Sequence, residues 1–277
     1  MRRTVWTHPA RLALLAVAAL LALLASLLTS DSAASAPNHR PEPAKPTIVL
    51  VHGAFADASG WSEVISSLQK RGYPTYAPAN PLRSLEGDSE YLRSFLSTIE
   101  GPIVLVGHSY GGAVITNAAT GNPNVKALVY IAAFALDEGE SVFAALALGG
   151  GHSELGDHIV ARPYPGAPEG DADIYIDPAF FQALFAADLP AKQAAVLAAS
   201  QRPGVVSGFS ATSGVPAWKT IPSWYLVASS DKTIPPEAER AMAARAGSQT
   251  VEIESSHVPM MSHPNAVVRL IKQAASS

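Results

Sequence analysis

Gly107-His108-Ser109-Tyr110-Gly111 is the stretch on which the reading of this chain turns. It has the form G-x-S-x-G, and its flanks suit one structure. Upstream, Pro102-Ile103-Val104-Leu105-Val106 is a short apolar, β-rich run of the kind a buried parallel strand needs. Downstream, Gly112-Ala113-Val114-Ile115-Thr116-Asn117-Ala118-Ala119 reads as a helix of small residues. Strand, sharp turn and helix together make a nucleophile elbow, whose serine takes a strained backbone conformation that exposes Oγ. The glycines follow from the tightness of the turn, because its neighbours have room for almost no side chain.

Outward from the elbow, strand-like and helix-like segments alternate. The pattern predicts strands over 47–51, 74–77, 126–133, 222–228 and 250–253, and helices over 61–71, 88–99, 235–246 and 263–274. Such alternation is that of an α/β domain with a mostly parallel sheet flanked by helices. One segment breaks it. From Asp137 to about Thr220 there is no good parallel strand, only a loop at Gly149-Gly150-Gly151, a proline-rich loop over 162–170, and helical stretches near 178–187 and 190–200. A structureless loop of that length is unusual, so residues 137–220 are expected to form a mostly helical cap inserted into a core of 47–136 and 221–277.

The N-terminus reads as a separate object. Arg2, Arg3 and Arg11 precede an apolar run from Leu12 to Leu28, followed by small residues up to Ala36, the pattern of a secretory signal peptide over 1–36. Cleavage after Ala36 would leave Pro37 beside the cut, so Ala34 is a rival site. The apolar run approaches the length of a membrane span, which keeps an uncleaved N-terminal anchor as the alternative to a secreted protein. Residues 37–46 form a proline-rich linker. The chain carries a formal charge of −4, which becomes −6 once the three arginines and Asp31 of the signal are removed. That mild acidity argues against nucleic acid or an anionic membrane as partner. With no cysteine, thiol nucleophiles, thiolate metal sites and lipoprotein anchors are excluded.

A serine hydroxyl is un-ionised at neutral pH and needs a base, which in turn needs an acid to orient it. In an elbow fold the order along the chain is Ser, then Asp or Glu, then His. The strand Trp224-Tyr225-Leu226-Val227-Ala228 runs into Ser229-Ser230-Asp231, and Val251-Glu252-Ile253-Glu254 runs into Ser255-Ser256-His257. Ser109, Asp231 and His257 thus fall at the carboxyl ends of strands, where sites in open parallel sheets collect. Asp137 is the alternative acid. For an oxyanion, the donors expected are the backbone N–H groups of Tyr110, next to the nucleophile, and of Ala54, in the loop His52-Gly53-Ala54-Phe55 after the first strand. His108 should point away from Oγ into a buried, hydrogen-bonded place, and His263 should cap the last helix or lie exposed. His152, Glu154, Asp157 and His158 lack trustworthy ligand spacing and read as a solvated loop. No metal, nucleotide or flavin signal is present, so no cofactor is expected.

Together these residues resemble the α/β-hydrolase superfamily over 47–275, and more closely its plant methylesterase and hydroxynitrile lyase group with bacterial relatives. The resemblance is carried by His52-Gly53-Ala54 with Trp61, by Gly107 to Gly112, and by Ile131-Ala132-Ala133-Phe134. Phe180 through Arg202-Pro203, Asp231-Lys232 and Ser256-His257-Val258-Pro259 match as well. It implies Ser109, Asp231 and His257 as a triad, with the Ala54 and Tyr110 amides as the oxyanion hole. It also favours ester hydrolysis over cyanohydrin cleavage, since the lyases replace the glycine found here as Gly53 and carry lysine where Val258 stands. Residues 55–59 depart from the plant pattern, so substrate identity does not carry over. The expectation is a secreted serine esterase acting on small-molecule esters. Phe55, Phe134, Phe180 and Phe181 are expected as pocket walls or as plain packing. Lactone or C–C bond hydrolysis on the same triad, and a non-catalytic ligand-binding protein, are the alternatives.

Overall fold

Five consecutive buried residues, Thr47–Val51, form β1 and set the pattern for the sheet. The computed structural model describes residues 44–277; the expected signal peptide, and the linker up to residue 43, lie outside the described residues. After β1 come α1 (Ser62–Gln69), β2 (Thr75–Tyr76), α2 (Leu85–Leu96), β3 (Ile103–Ser109), α3 (Tyr110–Ala118) and β4 (Val125–Ala133). An insertion follows, with β5 (Ile159–Arg162), β6 (Asp173–Ile176), α4 (Phe181–Phe185), α5 (Ala191–Ser200) and β7 (Gly204–Val205). The chain then returns through β8 (Ser223–Ala228), α6 (Pro236–Arg245), β9 (Gln249–Ile253) and α7 (Pro264–Ala275).

The main sheet has six strands in the order β2-β1-β3-β4-β8-β9, every pair parallel. β1, β3 and β8 are buried along their whole length, and β4 at all but one residue, which is why they read as unbroken apolar runs rather than alternating ones. From β1 the chain first winds to β2 and then returns to β3 on the opposite side. The strand order therefore reverses between β1 and β3, and the loops leaving those two strands frame the crevice where open α/β sheets hold ligands.

Two differences from the sequence pattern have local causes. The second helix starts at Leu85, three residues earlier than predicted, because the Ser84 side chain caps it by accepting the Gly87 N–H at 3.0 Å. The insertion holds helices where they were predicted, but it also contains an antiparallel sheet, β5-β6-β7. Its strands are two to four residues long and include Arg162 and Asp173. Pieces so short and polar leave no periodicity to detect.

The layout predicts where side chains carry stability. Leu105 lies in the middle of β3 with no exposure, so Leu105→Ala should cost about 2–5 kcal/mol in urea unfolding. Val251, on the exposed edge strand β9, is 37% accessible, and Val251→Ala should stay within about 0.5 kcal/mol of the parent.

Candidate active site

Ser109 closes β3 and stands immediately before α3, with φ 53° and ψ −128°. A non-glycine residue in that conformation is strained, and here neighbouring backbones leave no alternative. A Cβ on Gly111 would lie 2.5 Å from the Val51 carbonyl oxygen, and one on Gly107 would lie 2.7 Å from the Gly111 oxygen. Gly53 meets the serine itself: a Cβ there would approach the Ser109 Cβ to 2.5 Å. The loop after β1 is thus pressed directly against the elbow.

His52 orients that loop. Its Nε2 accepts the Asn80 N–H at 2.9 Å, so Nδ1 carries the hydrogen and donates to the Gly53 carbonyl, also at 2.9 Å. Burial holds this imidazole below its usual range, which keeps it in that neutral form. The Gly53 carbonyl and the Ala54 N–H belong to one trans peptide and point in opposite directions, so pinning the first aims the second. Phe55, at φ 61°, donates its N–H to the Arg202 carbonyl at 2.8 Å, anchoring the far side of the loop to the insertion. Among the described residues, neither the Ala54 N–H nor the Tyr110 N–H donates to a protein acceptor. Tyr110 is fixed from its other end by a 2.9 Å hydrogen bond from its hydroxyl to the buried Asp88 carboxyl.

His257 and Asp231 meet in the interior. Nδ1 of His257 lies 2.5 Å from Oδ2 of Asp231, and both side chains are fully enclosed. Oδ1 of Asp231 accepts the N–H groups of Thr233 and Ile234 at 2.7 and 3.0 Å. Facing a carboxylate, Nδ1 carries the hydrogen, which leaves Nε2 as an acceptor; that atom is buried and has no hydrogen-bond partner among the described residues. A buried acceptor without a donor is costly to leave in a fold, and it is the state a general base needs before it takes a proton. His108 lies beside it with ring centroids 4.8 Å apart, and its Nε2 donates to the His257 carbonyl at 2.8 Å. Burial, and next the neighbouring His257, push the His108 imidazole well below its usual range. It therefore braces the loop as a neutral ring.

Asp137, the alternative acid, is half-exposed and pairs with Lys219 at 2.9 Å. His263 stands immediately before α7, with Nδ1 2.9 Å from Ser262 Oγ. His158 stacks on Phe180 with centroids 3.8 Å apart, and Glu154 approaches Lys232.

A cleft of about 510 Å³, its mouth included, opens beside Ser109. Phe55 and Phe134 line it, as do Phe143, Leu146, Ile174 and Phe209, none of which the sequence singled out. Phe180 and Phe181 do not line it. Phe180 is 41% exposed on the surface, and Phe181 is buried against Phe185. An aromatic pair at the start of a helix has one face inward and one outward, and neither face here reaches the cleft. Among the described residues no charged side chain lines the cleft, and the hydroxyl of its one threonine, Thr233, is committed to the Leu184 carbonyl at 2.9 Å.

Comparison with known proteins agrees with this geometry. Residues 48–270 match the model of the alpha/beta hydrolase family. The alpha/beta hydrolase nvfD of Aspergillus novofumigatus is 27% identical over 253 residues, covering 83% of this chain and 97% of its own. Methylesterase 17 of Arabidopsis thaliana is 25% identical, covering 86% and 94%. The crystal structure of a pyrethroid hydrolase from Sphingobium faniae superposes with a TM-score of 0.70 at 22% identity, covering 84% and 98%. A strand-turn-helix serine at a strand-order reversal, with that family match over most of the chain, places this protein in the alpha/beta hydrolase family.

Proposed function

We propose that this chain is a secreted serine hydrolase that cleaves small, uncharged carboxylic esters. The observation that carries the reading is the enclosed Asp231–His257 contact, with the unpartnered Nε2 of His257 on the same sheet edge as the elbow serine. In this reading His257 takes the Ser109 proton as Oγ adds to the ester carbonyl. The N–H groups of Ala54 and Tyr110 receive the oxyanion, and Asp231 balances the imidazolium. Collapse of the tetrahedral intermediate breaks the C–O bond to the alcohol, which leaves with the proton from His257. Water, deprotonated by the same imidazole, then adds to the acyl-enzyme and releases the acid and Ser109. Export rests on the N-terminal charge, apolar run and small residues of 1–36.

The cleft narrows the substrate. With no cation along its wall and its threonine hydroxyl already engaged, an ionised carboxylate entering it would lose hydration without compensation. An apolar acyl or alcohol group would instead exchange water for the faces of Phe134, Phe143 and Phe209.

Ser109→Ala should abolish turnover of a short nitrophenyl ester while circular dichroism stays unchanged; surviving turnover would refute the nucleophile. Covalent labelling of Ser109 by a fluorophosphonate separates an enzyme from a vestigial binding protein. Gly53→Ala should lower kcat/KM by on the order of 10²-fold, because the new Cβ displaces the loop that carries the Ala54 donor, a loss of about 3 kcal/mol of transition-state stabilisation. An ester with a free carboxylate on its acyl chain should be at least about tenfold poorer in kcat/KM than its uncharged counterpart. Equal rates would remove the case for an apolar substrate.

A further inference from the structure

Glu239 lies in the first turn of α6 and has no exposure at all. Its Oε2 accepts the Ala228 N–H at 3.0 Å, while Oε1 is enclosed without a donor. The group its carboxyl faces is Asp231. Among the described residues no cation pairs with it, because its neighbour Arg240 turns outward to Glu252 and Glu237. Two carboxyls in contact inside a protein do not both ionise, since neither desolvated charge would have a counter-ion.

The donors decide which one keeps the proton. Asp231 accepts three hydrogen bonds, from Thr233 N–H, Ile234 N–H and His257 Nδ1–H, whereas Glu239 accepts only the Ala228 N–H. Negative charge is therefore better held on Asp231. We propose that Glu239 is a positioning residue, a neutral carboxylic acid whose O–H donates to Asp231 and fixes that carboxylate against His257. The proposal rests on the reading of Asp231 and His257 given above. Burial, followed by the Asp231 charge, pushes the Glu239 carboxyl well above its usual range, in line with the same proton placement. The arrangement places one negative charge, not two, behind the imidazole, and gives the Asp231 carboxylate a fourth hydrogen bond.

The other titratable groups around Glu239 are Tyr225 on β8 and Arg240 on its own helix. The Tyr225 hydroxyl is buried, donates to the Ala133 carbonyl and is held well above its usual range, so it stays neutral. The proton on Glu239 also has a stability consequence. The folded chain keeps it, while the unfolded chain releases it near the ordinary value of 4.5. The folded state then binds more protons, and this group's contribution to stability falls as pH rises above that value.

The test uses Glu239→Gln and Glu239→Met in the full chain. Glu239→Met should lose about tenfold in kcat with KM unchanged, the worth of one hydrogen bond to a charged acceptor. Glu239→Gln, which keeps a donor, should restore kcat to within about twofold and leave the acid limb of kcat/KM in place. Its Tm advantage over the parent should grow as pH rises above 4.5. An unchanged kcat in Glu239→Met overturns the proposal, and so does an acid limb moved to lower pH in Glu239→Gln, which would mean an ionised Glu239. If Glu239→Met does not fold, the infrared difference between parent and Glu239→Gln at neutral pH decides. The carbonyl stretch of a protonated acid should be lost in the variant, and absence of that band in the parent overturns the proposal. Ser109→Ala keeps the two readings apart: turnover that survives it refutes the triad, whereas its loss beside a normal Glu239→Met refutes the positioning role alone.

Discussion

The close approach of three backbones around Ser109 is the constraint from which the rest of the site follows. A Cβ at Gly53, Gly107, Gly111 or Gly112 would come within 2.8 Å of an atom from the end of β1, the elbow or the end of β4. With side chains absent there, the loop after β1 can lie against the nucleophile, and two backbone N–H groups can face the crevice. The left-handed φ of Ser109 costs about 1–3 kcal/mol, and such strain persists only where its surroundings over-determine it. Here they do. β1, β3 and β4 are almost wholly buried, and their ladders hold both ends of the turn.

Electrostatics in the interior follows the same economy. His52, His108 and His257 are all buried, yet the first two have their hydrogen-bonding nitrogens assigned by fixed backbone partners. Two of the three rings are thereby committed to neutral, structural tautomers. Of the three, His257 alone pairs with a carboxylate, which in the proposed reaction makes it the favourable destination for a proton from Ser109. Among the described residues the cleft beyond it carries no charged side chain, so the oxyanion and imidazolium of the proposed reaction would form in a low-dielectric setting where fixed dipoles count most.

Features set by local chemistry were legible in the sequence. The elbow, the apolar strands and the loops that end in Asp231 and His257 are each written in a few adjacent residues, and Phe55 and Phe134, just past the ends of β1 and β4, line the cleft. Features set by tertiary contact were not legible. The antiparallel strands of the insertion have no apolar run, and Phe180 and Phe181 differ in burial although they are neighbours in a helix start. The cleft walls Phe143 and Phe209 come from the short helices Val142–Ala145 and Val206–Ser210, whose docking no pattern encodes. Glu239 is an intermediate case. It shares the buried face of α6 with Met242 and Ala243 at helical spacing, so the pattern carried a signal, but Arg240 and Glu237 beside it give the segment the look of a solvated helix.

The insertion does more than cover the cleft, because the loops that carry Ala54, Asp231 and His257 are each tied to it. The loop after β1 gives the Phe55 N–H to the Arg202 carbonyl, and the acid loop gives the Thr233 hydroxyl to the Leu184 carbonyl. The histidine loop gives the Ser256 N–H and hydroxyl, and the Ser255 hydroxyl, to the Asp188 carboxylate. Lifting the insertion as a unit would break all of these at once and strip a half-buried carboxylate of three donors, a cost of several kcal/mol at about 1–3 kcal/mol per bond to a charged or buried group. A conformational change that expensive would also displace Ala54, Asp231 and His257 from one another. The insertion is thus better regarded as the outer half of the scaffold that holds those groups in register. Exchange with solvent then falls to the rim of the cleft, where the half-exposed Phe143 ring packs edge-on against Phe209, and where a side-chain rotation disturbs none of the three loops.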